Sequence, residues 1–100
     1  MKALPHVISK KAISDLEKIW LYAVDKWSIE QADRYYNLIF DEIAFICKNP
    51  GTGKQMDFIR KNYCTAKVKS HLIFYKVDND KVHIVRILHE LMDIKNRFGD

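Results

Sequence analysis

The sequence predicts an α+β domain of order β-α-α-β-β-β, an antiparallel helical hairpin packed on a small, mainly antiparallel sheet, with a short C-terminal helix. Three observations predict it. Two long stripes of apolar residues at three- and four-residue spacing fill the first half of the chain. A loop region containing "NPGTG" follows at residues 49–53. Beyond it the period changes to two, with a hairpin signal at Asn79-Asp80.

Each element has a local cause. "LPHVI" at residues 4–8 reads as a short first strand, with Pro5 near its start, where a missing N–H is tolerated. Ser9 can cap a helix over 10–27, whose stripe is Ile13, Leu16, Trp20, Ala23, Val24 and Trp27. "SIEQ" at 28–31 is a capping box that ends this helix and opens a second. The second stripe runs through Ala32, Tyr35, Tyr36, Ile39, Phe40, Ile43, Ile46 and Cys47. Such a tight connection makes the two helices an antiparallel hairpin. Cys64, Ala66 and Val68 alternate with polar residues as a strand. "HLIFYKV" and "KVHIVRIL" form a β-hairpin about the Asn79-Asp80 tip. Asp93 or a neighbour opens the last helix, which runs through Arg97.

One hundred residues suit one domain, spanning 1–100. No stretch approaches the length of apolar sequence that a membrane span needs, and no membrane partner is expected. The apolar patch near the N-terminus is broken by Pro5 and His6 and is too short for a signal-peptide core. The cytoplasm is the expected compartment. Cys47 and Cys64 have no CxxC or His partner spacing and are expected as buried free thiols.

The charge is unevenly placed. Residues 1–50 carry seven Lys/Arg and seven Asp/Glu, whereas residues 51–100 carry ten and six, which accounts for the net +4. Residues 54–76 hold six bases against one acid, Asp57. A basic surface of this kind suits a nucleic acid or an acidic protein segment.

A two-residue tip would pair Val77 with Val82, Tyr75 with Ile84, Ile73 with Arg86 and His71 with Leu88. On the other face it would pair Lys76 with His83, Phe74 with Val85 and Leu72 with Ile87. The second set is the more apolar away from the tip and is expected under the helices. The open face would then collect Tyr63, Lys67, Lys69, His71, Tyr75 and Arg86 as a basic, aromatic binding groove, with Arg60 as a further candidate in it. A one-residue error in register would exchange the faces. Arg86, between Ile84 and Leu88, must either face such a groove or pair with an acid such as Asp93.

Two motifs invite a chemical reading and fail. "PGTGKQ" resembles a phosphate-binding loop, but Lys48 and Gln55 stand where that pattern needs Gly and Ser/Thr, and a helix precedes it. "HELMD" at 89–93 begins like a zinc-protease motif, but its fifth residue is Asp93 rather than His. No metal and no cofactor are expected. Arg86, Tyr75 and His89 could together serve RNA cleavage, as charge stabiliser and proton carriers, though spacing does not establish it. His89 and Asp93 read better as fastening the chain's end.

The segments "DLEKIW", "EQADRYYNLIFDEIAFICKNP", "IR" at 59–60, "SHLIFYKV" at 70–77 and "VRILHELMD" at 85–93 resemble the ParE branch of the RelE/ParE toxin superfamily. The likeness runs over nearly the whole chain, and its matching positions are Arg60, His71, Phe74, Tyr75, Arg86, His89 and Asp93. It departs from the pattern near Cys64, where many relatives carry a second Arg shortly after the first, and at Lys69, where they carry Gly. The resemblance implies the RelE/ParE-like fold and the toxin half of a bacterial type II toxin–antitoxin pair. It implies an acidic, partly disordered, ParD-like antitoxin as partner, through which the complex would bind operator DNA. It implies DNA gyrase as the target, with ribosome-dependent mRNA cleavage of RelE type or a low-potency antitoxin-binding module as alternatives.

Overall fold

The computed structural model describes residues 2–57 and 59–98. Its elements are β1 (His6–Ile8), α1 (Lys10–Lys26), α2 (Ile29–Lys48), a 3-10 turn (Pro50–Thr52), β2 (Lys54–Gln55), β3 (Cys64–Val68), β4 (His71–Asp78), β5 (Lys81–His89) and α3 (Ile94–Arg97). The strands form one sheet in the order β1-β5-β4-β3-β2, with β1 parallel to β5 and every other pair antiparallel. This is the expected α+β arrangement. The two-residue edge strand β2 is an addition inside what reads as loop.

The helix starts follow from their caps. The Ser9 hydroxyl accepts from the Ala12 amide and the Ser28 hydroxyl from the Gln31 amide, each satisfying a donor the first turn leaves free. Between the helices, Trp20 Nε1 donates to Asp33 Oδ1 at 3.0 Å. The buried stripe is Ala12, Leu16 and Ala23 on α1, with Ala32, Ile39, Ile43, Ile46 and Cys47 on α2. Ile13, Trp27 and Tyr36, expected within the stripes, are instead exposed.

The hairpin tip is as expected: Asn79 (φ 53°) and Asp80 (φ 58°) both adopt left-handed backbone, as a type I′ turn requires. Pairing of Val77 with Val82 and of Tyr75 with Ile84 also holds. Beyond that point the register slips. Phe74 lies opposite Arg86 rather than Val85, and Ile73 opposite Ile87. Val85 is the extra residue of a β-bulge. Leu72 consequently faces Leu88, and His71 faces His89.

The bulge and the true orientation of β4 correct the expected faces. Ile73 and Tyr75 pack under the helices with Val68, Val82, Ile84 and Ile87, and Cys64 and Ala66 adjoin them. Phe74 and Leu88 belong to a second cluster with Phe98, completed by Met56, Ile59, Tyr63, Leu72 and Val85. The face away from the helices is therefore no open groove. Met56, Ile59, Tyr63 and α3 cover part of it with an apolar core of their own.

The β3–β4 turn is Lys69-Ser70, and Lys69 has φ 53°. A left-handed residue at the first of two loop positions favours Gly. The Gly expected here from the resemblance thus has a backbone reason. Lys69→Gly should raise stability by up to about 1 kcal/mol, seen as a higher urea midpoint with unchanged slope.

Candidate functional site: a groove between the helical hairpin and the sheet end

An open groove of about 1130 Å³ lies between the helical hairpin and the end of the sheet. The helical hairpin forms one wall and the β3–β4 turn with the residues after β5 forms the other. Its lining is mostly apolar and includes Trp27, Tyr22, Leu91 and Met92. Leu91 is 86% exposed, Trp27 63% and Tyr22 60%. Large apolar side chains left in water in one place mark a docking surface. The cations Lys18, Arg34 and Lys69 also line the groove. Its one acid, Asp15, is already engaged by Arg86.

At the groove floor the Tyr35 hydroxyl lies 2.5 Å from His71 Nδ1 and 3.1 Å from the Val68 carbonyl. His71 stacks edge-on against His89, with ring centres 5.2 Å apart. Burial, followed by the nearby His89, pushes the His71 imidazole down from 6.5 to about 4, against the smaller pull of Asp15 and Glu90. His71 is therefore neutral at pH 7. Its folded value lies below its unfolded one, so its contribution is full above about 6.5 and is lost as the pH falls through about 4. The urea midpoint should fall more steeply between those values in the native chain than in His71→Gln. Parallel profiles would remove His71 as the cause.

Arg86 has the partner its position demands, but that partner is Asp15 rather than Asp93. Arg86 Nε donates to Asp15 Oδ2 at 2.8 Å and its Nη2 to Oδ1 at 2.9 Å. The Ile87 amide donates to the same Oδ2 at 3.0 Å. The cause lies at the sheet edge. β1 pairs β5 only as far as Ile84, so the backbone beyond it needs other partners. Ser9 takes the Ile84 and Val85 carbonyls, and Asp15 takes the Ile87 amide. Asp15 continues the buried row of Ala12, Leu16 and Ala23 on α1. An acid on such a row must have a partner, and that was the available sequence signal for it.

The remaining expected site residues are dispersed. Tyr75, expected on an open face, is 0% exposed, and its hydroxyl donates to the Pro50 carbonyl at 3.0 Å. Gly53 makes this possible, since a Cβ there would stand 2.0 Å from the Tyr75 hydroxyl oxygen. Arg60 donates to the Phe98 carbonyl at 2.7 Å, and Tyr63 packs edge-on against Phe98. Lys67 makes an exposed 3.1 Å ion pair with Glu90, a contact worth little. His89 Nδ1 accepts from the Leu91 amide, shaping the turn after β5. Asp93 precedes α3 and accepts from Asn96 without reaching the sheet. Of the expected set, only Lys69, His71 and His89 line the groove. Cys47 and Cys64 are free, Cys47 buried and Cys64 partly so, and burial pushes both thiols up.

Among the described residues, no three His, Cys, Asp or Glu side chains are placed to hold a metal ion. No described helix is long and apolar enough to cross a membrane.

The five-stranded sheet, its helical hairpin and the groove between them define the RelE/ParE toxin fold. Among solved structures, the chain is similar to one from the chromosomal ParDE toxin–antitoxin system of P. aeruginosa. That match has TM-score 0.77 and 19% identity, covering 87% of this chain and 96% of that one. It is also similar to a chain of the RelBE2 toxin–antitoxin complex of Mycobacterium tuberculosis, with TM-score 0.63 and 20% identity, covering 88% and 99%. Residues 7–94 match the family model of the ParE toxin of type II toxin–antitoxin systems, and the chain belongs to that family. The toxin ParE1 of Caulobacter vibrioides is 34% identical over 95 residues, covering 95% of this chain and 98% of the relative.

Proposed function

We propose that this chain is a toxin that inhibits DNA gyrase in the cytoplasm and is neutralised by a ParD-like antitoxin seated in the helical groove. The family match over residues 7–94 carries the reading. The groove supports it by offering a partner a large apolar floor with Lys18, Arg34 and Lys69 around it. An amphipathic, acidic segment that folds as it binds would bury the exposed Trp27, Tyr22 and Leu91 and meet those cations. Binding of operator DNA would then belong to the antitoxin.

The residues offered by the sequence for RNA cleavage do not converge. The Tyr75 hydroxyl is bonded under the helices, Arg86 is held by Asp15, and His89 adjoins His71. A supercoiling assay with purified protein tests the gyrase reading, and inhibition or a stabilised cleavage complex is expected. Active supercoiling at saturating toxin, with codon-positioned cuts in cellular transcripts, would transfer the role to mRNA. Unchanged growth on expression without a partner would favour a low-potency binding module.

A further inference from the structure

A second, smaller pocket of about 290 Å³ lies beside the start of α1, where β5 meets the second cluster. It shares no lining residue with the helical groove. Five cations reach it from four separate elements: Lys10 and Lys11 of α1, Arg60 of the loop, Arg86 of β5 and Arg97 of α3. Among the described residues, no carboxylate lines it. Asp15 offsets Arg86 from outside. Among the described residues, no ion pair offsets the other four, a local charge as large as the net +4 of the whole chain.

Packing explains the arginines better than the lysines. Arg60 holds the Phe98 carbonyl, and Arg86 reaches that of Arg97 at 3.3 Å. These bonds tie down the end of the chain and fix two guanidinium groups at the pocket. Lys10 and Lys11 have no such duty. They occupy the first turn of α1, which has no acid, whereas a helix N-terminus favours acids and disfavours cations. Two exposed lysines there oppose the stability of the helix and concentrate positive potential on the pocket.

We infer that this pocket is a nucleic-acid contact, holding backbone phosphates through Lys10, Lys11, Arg60 and Arg97. A compact site with concentrated charge fits a small multi-oxygen anion such as phosphate. The half-buried ring of Tyr63 in its lining offers a surface for a sugar or base. An acidic helix would find little apolar surface here, and the larger groove supplies that instead. The contact does not depend on gyrase being the target.

Fluorescence anisotropy of the full chain with a labelled single-stranded oligonucleotide and with its duplex tests the inference. Binding of either probe at low salt is expected, with a log–log salt slope. Lys10→Gln/Lys11→Gln should weaken it about 10-fold and reduce the slope by about 1–2. Lys76→Gln/Lys81→Gln removes the same charge near the hairpin tip and should change affinity less than about twofold. Circular dichroism should show both variants folded, because Lys10, Lys11 and Lys81 are exposed and Lys76 is only partly buried. No binding of either probe, or equal losses in the two variants, would overturn the site. Displacement of the oligonucleotide by poly-glutamate at equal charge concentration would overturn phosphate recognition in favour of an acidic protein.

Discussion

Asp15→Ala should cost about 3–5 kcal/mol, a large part of the stability of a domain this size. The carboxylate is 8% exposed and holds three donors: Arg86 Nε, Arg86 Nη2 and the Ile87 amide. Alanine would leave the guanidinium of an arginine side chain only 15% exposed with no counter-charge, and a buried amide with no acceptor. Arg86→Ala should cost a similar amount, because it strands the carboxylate instead. The two losses should not add. Asp15→Leu combined with Arg86→Met should recover much of the stability, since replacing both charges with apolar groups removes the desolvation penalty. Urea midpoints of the four proteins measure the coupling. Additive losses would show that the pair does not act as a unit. Loss of toxicity in Arg86→Ala alone would thus reflect unfolding as readily as lost contact with a target, and the double variant separates the two.

Local chemistry announced some elements and concealed others. Ser9 and Ser28 mark the helix starts because a hydroxyl before an apolar stripe has one evident use. Asn79-Asp80 marks the hairpin because few residues accept two successive left-handed positions. The faces of β4 had no such marker. "HLIFY" is apolar on both sides, and period-two patterning fails where a strand is buried twice. What decides the matter is distant: Phe98 covers Phe74, and the extra residue at Val85 shifts every later pairing. Nothing within "HLIFY" or "VRIL" records either fact. The same displacement moved the candidate site. A basic strand pattern points to the sheet face, while the open apolar surface lies against the hairpin, where Trp27 of the helical stripe stands exposed.

Phe74→Ala should cost about 3–5 kcal/mol, the usual loss for a fully buried aromatic ring. It should also release the end of the chain from the sheet. Phe74 is 0% exposed and meets Phe98 edge-on, with ring centres 4.9 Å apart. Phe98 in turn packs against Tyr63, and its carbonyl holds Arg60. Removing the Phe74 ring opens a cavity between the sheet and α3, and α3 is too short to persist without packing. The consequence is directional. Amide exchange should accelerate first in residues 94–98 and at Met56, Ile59 and Tyr63, which share this cluster, while α1 and α2 keep their protection. Were Phe74 beneath the helices, the opposite order would appear. Uniform acceleration across both clusters would mean that the two cores unfold together, and faster exchange confined to the helices would refute the orientation of β4. Release of this segment would also free Arg60 from the Phe98 carbonyl and spread the cations of the small pocket. Phe74→Ala should therefore weaken oligonucleotide binding through a side chain that touches no ligand.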